Sequence, residues 1–229
     1  MVRSFSSLAL SCFLIFVSQQ SGSAKNSSEW VILFNGSSLD SWQSSTTPEN
    51  VPLCWRIENG ELISLHRDER NQDVRASLLT RDSFSDFELA FEFKLDAPEE
   101  KRSINSGIKY FTIPNTELGL EYQIFAHIGE IKGLHATGDL YDILPATGAV
   151  LKPFDEWNSG RIISHGNLCE HWLNDVKILE YERGADVFKA AIQNSKFKNQ
   201  PGFGERREGQ ILLQDHGGGV RFRNIKIRQ

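Results

Sequence analysis

Glu121 and Gln123 stand two apart in the stretch Leu120–Phe125, whose Leu120, Tyr122 and Ile124 are apolar. Side chains along a strand leave on alternate faces, so a carboxylate and an amide share one face and the apolar residues take the other. On the floor of a groove, Glu121 can accept a proton and Gln123 can hold a sugar hydroxyl. The competing reading is a solvated outer face, the common state of half-exposed antiparallel sheet.

His216 follows the run Leu213-Gln214-Asp215 and precedes Gly217-Gly218-Gly219. An imidazole at a sheet end, beside a glycine turn, exchanges protons near neutral pH and suits a general acid or base. The alternative is a turn histidine with a solvated ring. Val220–Ile227 carries Arg221 and Arg223 on one parity, but Ile225 and Ile227 then take that same parity. Such a switch implies a β-bulge or a strand buried on both sides. A buried arginine there would need a carboxylate, with Glu121 and Asp215 as candidates.

Trp157-Asn158 suits a sugar, since an indole face packs on pyranose C–H groups and an amide bonds hydroxyls. Against this stands the commoner fate of tryptophan, burial in a core. Asn105-Ser106-Gly107 opens a strand, and Thr137–Tyr141 reads as turn chemistry. Among the familiar motifs there is no phosphate-binding glycine loop, no nucleophile elbow and no zinc-protease helix. Nucleotide, flavin, serine-hydrolase and zinc-protease chemistry are unsupported, and no cofactor is expected.

The elements that must position these groups are mostly strands. Phe87, Leu89, Phe91, Phe93 and Leu95 alternate with Glu88, Glu92 and Lys94, a half-buried antiparallel strand. Similar runs occur at Val31–Phe34, Trp55–Glu58, Glu61–Leu65, Ala76–Thr80, Gly107–Phe111, Leu120–Phe125, Arg161–His165, Leu168–Leu173, Lys177–Tyr181, Gln210–Asp215 and Val220–Ile227. Asn59-Gly60 and Asn174-Asp175 join neighbouring runs as tight hairpins. Asp186–Ser195 has helical spacing after Gly184. Many short strands with one short helix predict an all-β, two-sheet sandwich of jelly-roll type, with a barrel as the alternative.

With 229 residues, 25 Lys+Arg and 30 Asp+Glu, the net charge is −5, which gives no electrostatic reason to expect nucleic acid. Arg3, the apolar run Leu8–Val17 and the small residues Ser21–Ala24 read as a secretory signal peptide over residues 1–24. The run is short for a bilayer span, so no membrane span is expected after cleavage, and the chain is expected to be exported. An uncleaved anchor is the competing reading. Residues 25–29 read as a short tether and 30–229 as one domain. Cys54 and Cys169 remain, either as a disulfide or as two free buried thiols. Asn26 and Asn35 head glycosylation sequons.

Several motifs occur together in order. They are Phe34-Asn-Gly with Leu39 and Trp42; Trp55-Arg-Ile-Glu-Asn-Gly60; Asp86-Phe-Glu-Leu; Asn105-Ser-Gly-Ile; Glu121-Tyr-Gln-Ile; Leu140-Tyr-Asp-Ile-Leu-Pro145; Glu156-Trp-Asn; Glu170-His-Trp-Leu-Asn; and Leu213-Gln-Asp-His-Gly with Phe222-Arg-Asn-Ile. Together they resemble the 3-keto-disaccharide hydrolase domain family over about residues 30–229. The resemblance implies a concanavalin A-like sandwich and a small-molecule partner, a sugar already oxidised at C3. A C3 carbonyl acidifies the C2 proton, so a base removes it, the C1 glycosidic oxygen leaves, and water can add afterwards. On this basis Glu121 is expected as base and His216 as proton donor. Gln123, Asn105 and Arg223 are expected to hold the enolate oxygen and hydroxyls, while Trp157, Asn158 and Tyr141 shape the sugar site. The resemblance leaves a divalent metal open. The chain also departs from the family. Relatives usually carry acidic residues where Phe125-Ala126-His127 stands, and a polar pair where Leu134-His135 stands. A non-catalytic carbohydrate-binding module is therefore the alternative function.

Overall fold

The computed structural model describes Met1 and residues 29–70, 74–97, 103–127 and 133–229. The expected signal peptide, nearly all of the tether and the Asn26 sequon lie outside the described residues. In chain order the strands are β1 (Val31–Phe34), β2 (Trp42–Ser44), β3 (Trp55–Glu58), β4 (Glu61–Ser64), β5 (Leu78–Thr80), β6 (Phe87–Leu95) and β7 (Ile104–Tyr110). Then follow β8 (Leu120–Ala126), β9 (Trp157–His165), β10 (Leu168–Leu173), β11 (Val176–Glu182), β12 (Leu212–Leu213) and β13 (Val220–Arg228). A single helical turn, α1 (Val51–Cys54), precedes β3, and α2 (Asp186–Asn194) follows β11.

These strands form two antiparallel sheets, a jelly-roll sandwich. The larger runs β11-β10-β9-β6-β13-β4-β3, with β1 also paired to β13; the smaller runs β2-β5-β12-β7-β8. The alternation of β6 sends Phe87, Leu89, Phe91, Phe93 and Leu95 into the core between the sheets. There Phe91 meets Tyr122 of β8 edge-on, with ring centroids 5.5 Å apart. Truncating a buried phenylalanine of this kind costs about 3–5 kcal/mol.

Turn chemistry sets the registers. Asn59 and Gly60 both have positive φ, 52° and 79°, and Glu58 pairs with Glu61 across them. Asn174 and Asp175, at 49° and 65°, do the same between Leu173 and Val176. Both are two-residue hairpins with the left-handed backbone that matches strand twist. The parity switch in β13 is a bulge: Arg223 faces Glu92, Lys226 faces Ala90, and Asn224 takes φ 52° between them.

Cys54 and Cys169 are free and buried. Burial pushes the Cys54 thiol up to about 11, so it packs as an unreactive thiol at neutral pH. None of the helices among the described residues is long and apolar enough to cross a membrane.

Candidate functional site

The smaller sheet turns one face to the core and one face outward. Along β8 the parity places Leu120, Tyr122 and Ile124 inward, and Glu121 and Gln123 outward. Yet Glu121 and Gln123 are only 5% and 1% exposed, so this outer face is roofed rather than solvated. The roof comes from two segments. One is the loop 136–141, which zips along the free edge of β8. Gln123 N donates to Asp139 O (3.1 Å), Gly138 N to Gln123 O (2.9 Å) and Tyr141 N to Glu121 O (3.0 Å). The other is the turn after α2, whose Lys196 ammonium lies 4.0 Å from the Tyr141 ring centre. Lys196 N donates to Asp142 Oδ2 at 2.7 Å, tying the two roof segments together. The Tyr141 ring also stacks on His135, with centroids 4.9 Å apart.

A buried hydrogen-bonded chain fixes the loop from the core side. His171 Nδ1 lies 2.8 Å from Gly138 O, so that nitrogen must donate, and Nε2 accepts from Tyr110 Oη at 2.8 Å. Tyr181 Oη then donates to Tyr110 Oη at 2.5 Å. Burial pulls the His171 imidazole down to about 4, so it stays neutral and holds this pattern at ordinary pH. Asp139 is also structural, accepting from Ala136 N and Ala146 N at 2.7 Å each.

Beneath the roof is a hollow of about 160 Å³ lined by Asn105, Lys109, Glu121, Gln123, Tyr141, Lys196, Phe197, Gln214, His216 and the Glu117–Gly119 turn. Gly107, opposite Gln123 on β7, makes room for the acid: a Cβ there would overlap the Glu121 carboxylate. That carboxylate accepts no hydrogen bond among the described residues, and its ion-pair partner is Lys109, 3.8 Å away. Lys109 itself donates to Glu117 O at 2.9 Å. Burial raises the Glu121 pKa from 4.5 to about 7, against the opposing pull of the Lys109 and Lys196 charges. A carboxyl poised there can take and return a proton near neutral pH. Gln123 donates through Nε2 to Asn105 Oδ1 at 3.1 Å, which fixes its orientation. Its Oε1, and that of Gln214, are buried and receive no donor from the described protein. Both glutamines line the same hollow, so a ligand hydroxyl entering it is a candidate donor for them.

The structure therefore brings together Asn105, Glu121, Gln123, Tyr141 and His216. It does not bring Arg223, Trp157 or Asn158 to them. Arg223 (β13) and Trp157 (β9) sit on the outer face of the larger sheet. There the guanidinium caps the indole at 4.0 Å and pairs with Glu92 at 2.5 Å. Asn158 points inward and is a buried brace, its Oδ1 accepting from Lys152 N and Asn174 Nδ2 at 2.9 Å each. The expected arginine partners also change. Asp215 binds Arg70 through both guanidinium nitrogens (2.6 and 2.9 Å), and Arg221 pairs with Asp96 and Glu61.

The hollow also holds Lys109, Lys196 and Gln214, which the sequence motifs do not mark as site residues. Lys109 had a readable signal, since it shares the outward parity of Gly107 and stands opposite Glu121. Lys196 had none, because its place depends on how the α2 turn folds back. Among the described residues no three His, Cys, Asp or Glu side chains are gathered as a metal site would need.

A sequence model of the family described as the 3-keto-alpha-glucoside-1,2-lyase-like domain matches residues 29–228. A Bacteroides thetaiotaomicron protein named 3-keto-disaccharide hydrolase is 28% identical over 233 aligned residues, 87% of this chain and 78% of that protein. Two solved structures of candidate glycosyl hydrolases from Parabacteroides distasonis share the fold. One has a TM-score of 0.74 and 25% identity, covering 87% of this chain and 93% of its own. The other has a TM-score of 0.64 and 27% identity, covering 88% and 99%.

Proposed function

The chain belongs to the 3-keto-alpha-glucoside-1,2-lyase-like family, and from that premise we propose that it is a carbohydrate-active enzyme cleaving 3-keto-glycosides by removal of the C2 proton and elimination of the C1 substituent. The observation that carries this reading is the convergence of Glu121, from β8, with His216, from beyond β12, on one hollow.

Each step needs a group that the hollow supplies. The C3 carbonyl makes the C2 proton acidic. Glu121, with its pKa raised to about 7, takes that proton as general base. Negative charge then develops on the C3 oxygen, where the Lys109 and Lys196 ammonium groups in a water-poor site favour it. These lysines fill the role expected of Arg223. Gln123, Gln214 and Asn105 hold ring hydroxyls, and Tyr141 covers the ring. The C1–oxygen bond breaks, His216 gives the departing oxygen a proton, and a 2-hydroxy-3-keto-glucal remains, to which water can add. We also propose that the chain is exported, with residues 1–24 as the cleaved leader.

The test is an NMR assay of the purified chain on a 3-keto-glucoside, with and without a chelator. Release of the alcohol with a 2-hydroxy-3-keto-glucal or its hydrate supports the reading. Saturable sugar binding without turnover replaces it with a binding module. Detection of a processed chain beginning after Ala24 in the exported fraction tests the localisation.

A further inference from the structure

His216 borders two hollows. One is the Glu121 site; the other, of about 330 Å³, is lined by His66, Arg67, Asp68 and Ser103 around Gly217 and Gly218. The second hollow is built as a unit with His216. Asp215, the preceding residue, is clamped by the Arg70 guanidinium at 2.6 and 2.9 Å, with both side chains almost wholly buried. Arg70 also donates to Leu65 O, so this bolt pins the whole 65–70 turn against the His216 loop. The short turn Arg67–Glu69 is closed on itself, with His66 N donating to the Glu69 carboxylate at 2.7 Å. Gly218, at φ 95°, lets the two backbones touch: a Cβ there would overlap the His66 backbone. The result is a polar wall of imidazole, guanidinium, carboxylate and hydroxyl groups, and among the described residues no indole, phenol or phenyl ring lines it.

We propose that this second hollow is the leaving-group subsite, accepting a polyhydroxylated alcohol that hydrogen-bonds to His66 and Arg67. The inference rests on the elimination reading above. With the keto-sugar over Glu121, the glycosidic oxygen comes beside His216, the one described side chain common to both hollows. As the C2 proton passes to Glu121, its electron pair becomes the C1–C2 double bond. The C1–oxygen bond breaks, the oxygen takes the proton of His216, and the alcohol is left on the 66–68 turn.

The experiment compares wild type, Arg67→Ala and His66→Ala on two substrates with the same keto-sugar, a 3-keto-disaccharide and methyl 3-keto-glucoside. Losing one charge-assisted hydrogen bond to the leaving group should lower the ratio of kcat/KM for the disaccharide over the methyl glycoside about tenfold in Arg67→Ala. An unchanged ratio in both variants overturns the proposal. A second readout is independent of turnover and of the folding of the His66 and Arg67 variants: imidazole NMR of the Glu121→Gln chain, which keeps the hollow's shape without the base. The keto-disaccharide should shift the His66 Cε1–H signal and the methyl glycoside should not. No shift, or equal shifts, refutes the subsite. If wild type cleaves neither substrate, the elimination reading fails and this titration alone decides whether the hollow binds the second ring.

Discussion

The two outer faces of the sandwich carry similar residues in opposite states. On the larger sheet the charges are matched. Arg223 holds Glu92, Arg221 holds Asp96 and Glu61, and Arg228 holds Glu88. Its Trp157 and Trp172 are each approached by an arginine, Arg223 and Arg161. On the smaller sheet the polar groups are buried and under-partnered. Among the described residues Glu121 pairs with one lysine, 3.8 Å away, and two glutamine oxygens have no donor. Exposed, paired charges cost little and contribute little, whereas buried, unpaired ones persist where a ligand completes them. What separates scaffold from site is therefore the satisfaction of the groups, not their residue types.

Substitutions on the two faces should diverge. The largest effect is expected for Glu121→Gln, which keeps the shape and removes the base. Cleavage of a 3-keto-glucoside should fall at least about a hundredfold to ten-thousandfold, the usual worth of a general base. The matching substitution on the other face, Arg223→Ala, should leave kcat/KM within about twofold. Equal losses from the two would erase the distinction between the faces.

Next is the bolt behind His216. Asp215→Ala removes the carboxylate held by both terminal nitrogens of the buried Arg70 and should lower stability by about 3–5 kcal/mol in urea denaturation. A loss below about 1 kcal/mol would mean that the turn stays in place without it.

A smaller, opposite effect is expected for Glu121→Gln on stability. Between about pH 4.5 and 7 the folded state holds more protons on Glu121 than the unfolded chain does. Stability therefore falls as pH rises through that window and levels off above it. The glutamine variant escapes this loss, so at pH 8 it should be the more stable by about 1–3 kcal/mol, with little of that advantage at pH 4.5. Destabilisation at pH 8 would show that the carboxylate is well satisfied after all. Smallest should be Arg223→Ala in the same assay. Its half-exposed pair with Glu92 contributes about 0–1 kcal/mol, less at high salt.

The sequence made the sheets readable where alternation is long. Phe87–Leu95 needs no tertiary information to assign its inward face, and the parity break in Val220–Ile227 located a real bulge at Asn224. Trp42–Ser44 and α1 escaped because three or four residues carry too little period. Gln210–Asp215 contracts to Leu212–Leu213 because the flanking residues bond outside regular pairing, as Ile211 N does to Thr80 Oγ1. The site was legible to the level of strand parity and no further. Parity separates Glu121 from Tyr122, but a sandwich has two outer faces, and nothing in one strand says which sheet it joins. Arg223 and Trp157 share an outward parity yet belong to the wrong face, and Asn158 points inward. The roof that makes Glu121 unusual comes from residues 136–141 and 196–197, whose approach is a tertiary event.

The central claim is that the hollow holds Glu121 as a base titrating near neutrality. The most direct measurement follows the carboxyl carbon of Glu121 by ¹³C NMR across pH, beside the pH dependence of kcat/KM on a 3-keto-glucoside. The account predicts a titration near pH 7 that coincides with the rising limb of activity, with that limb absent in Glu121→Gln. A carboxyl that titrates near 4.5, or a limb that survives the substitution, would contradict it.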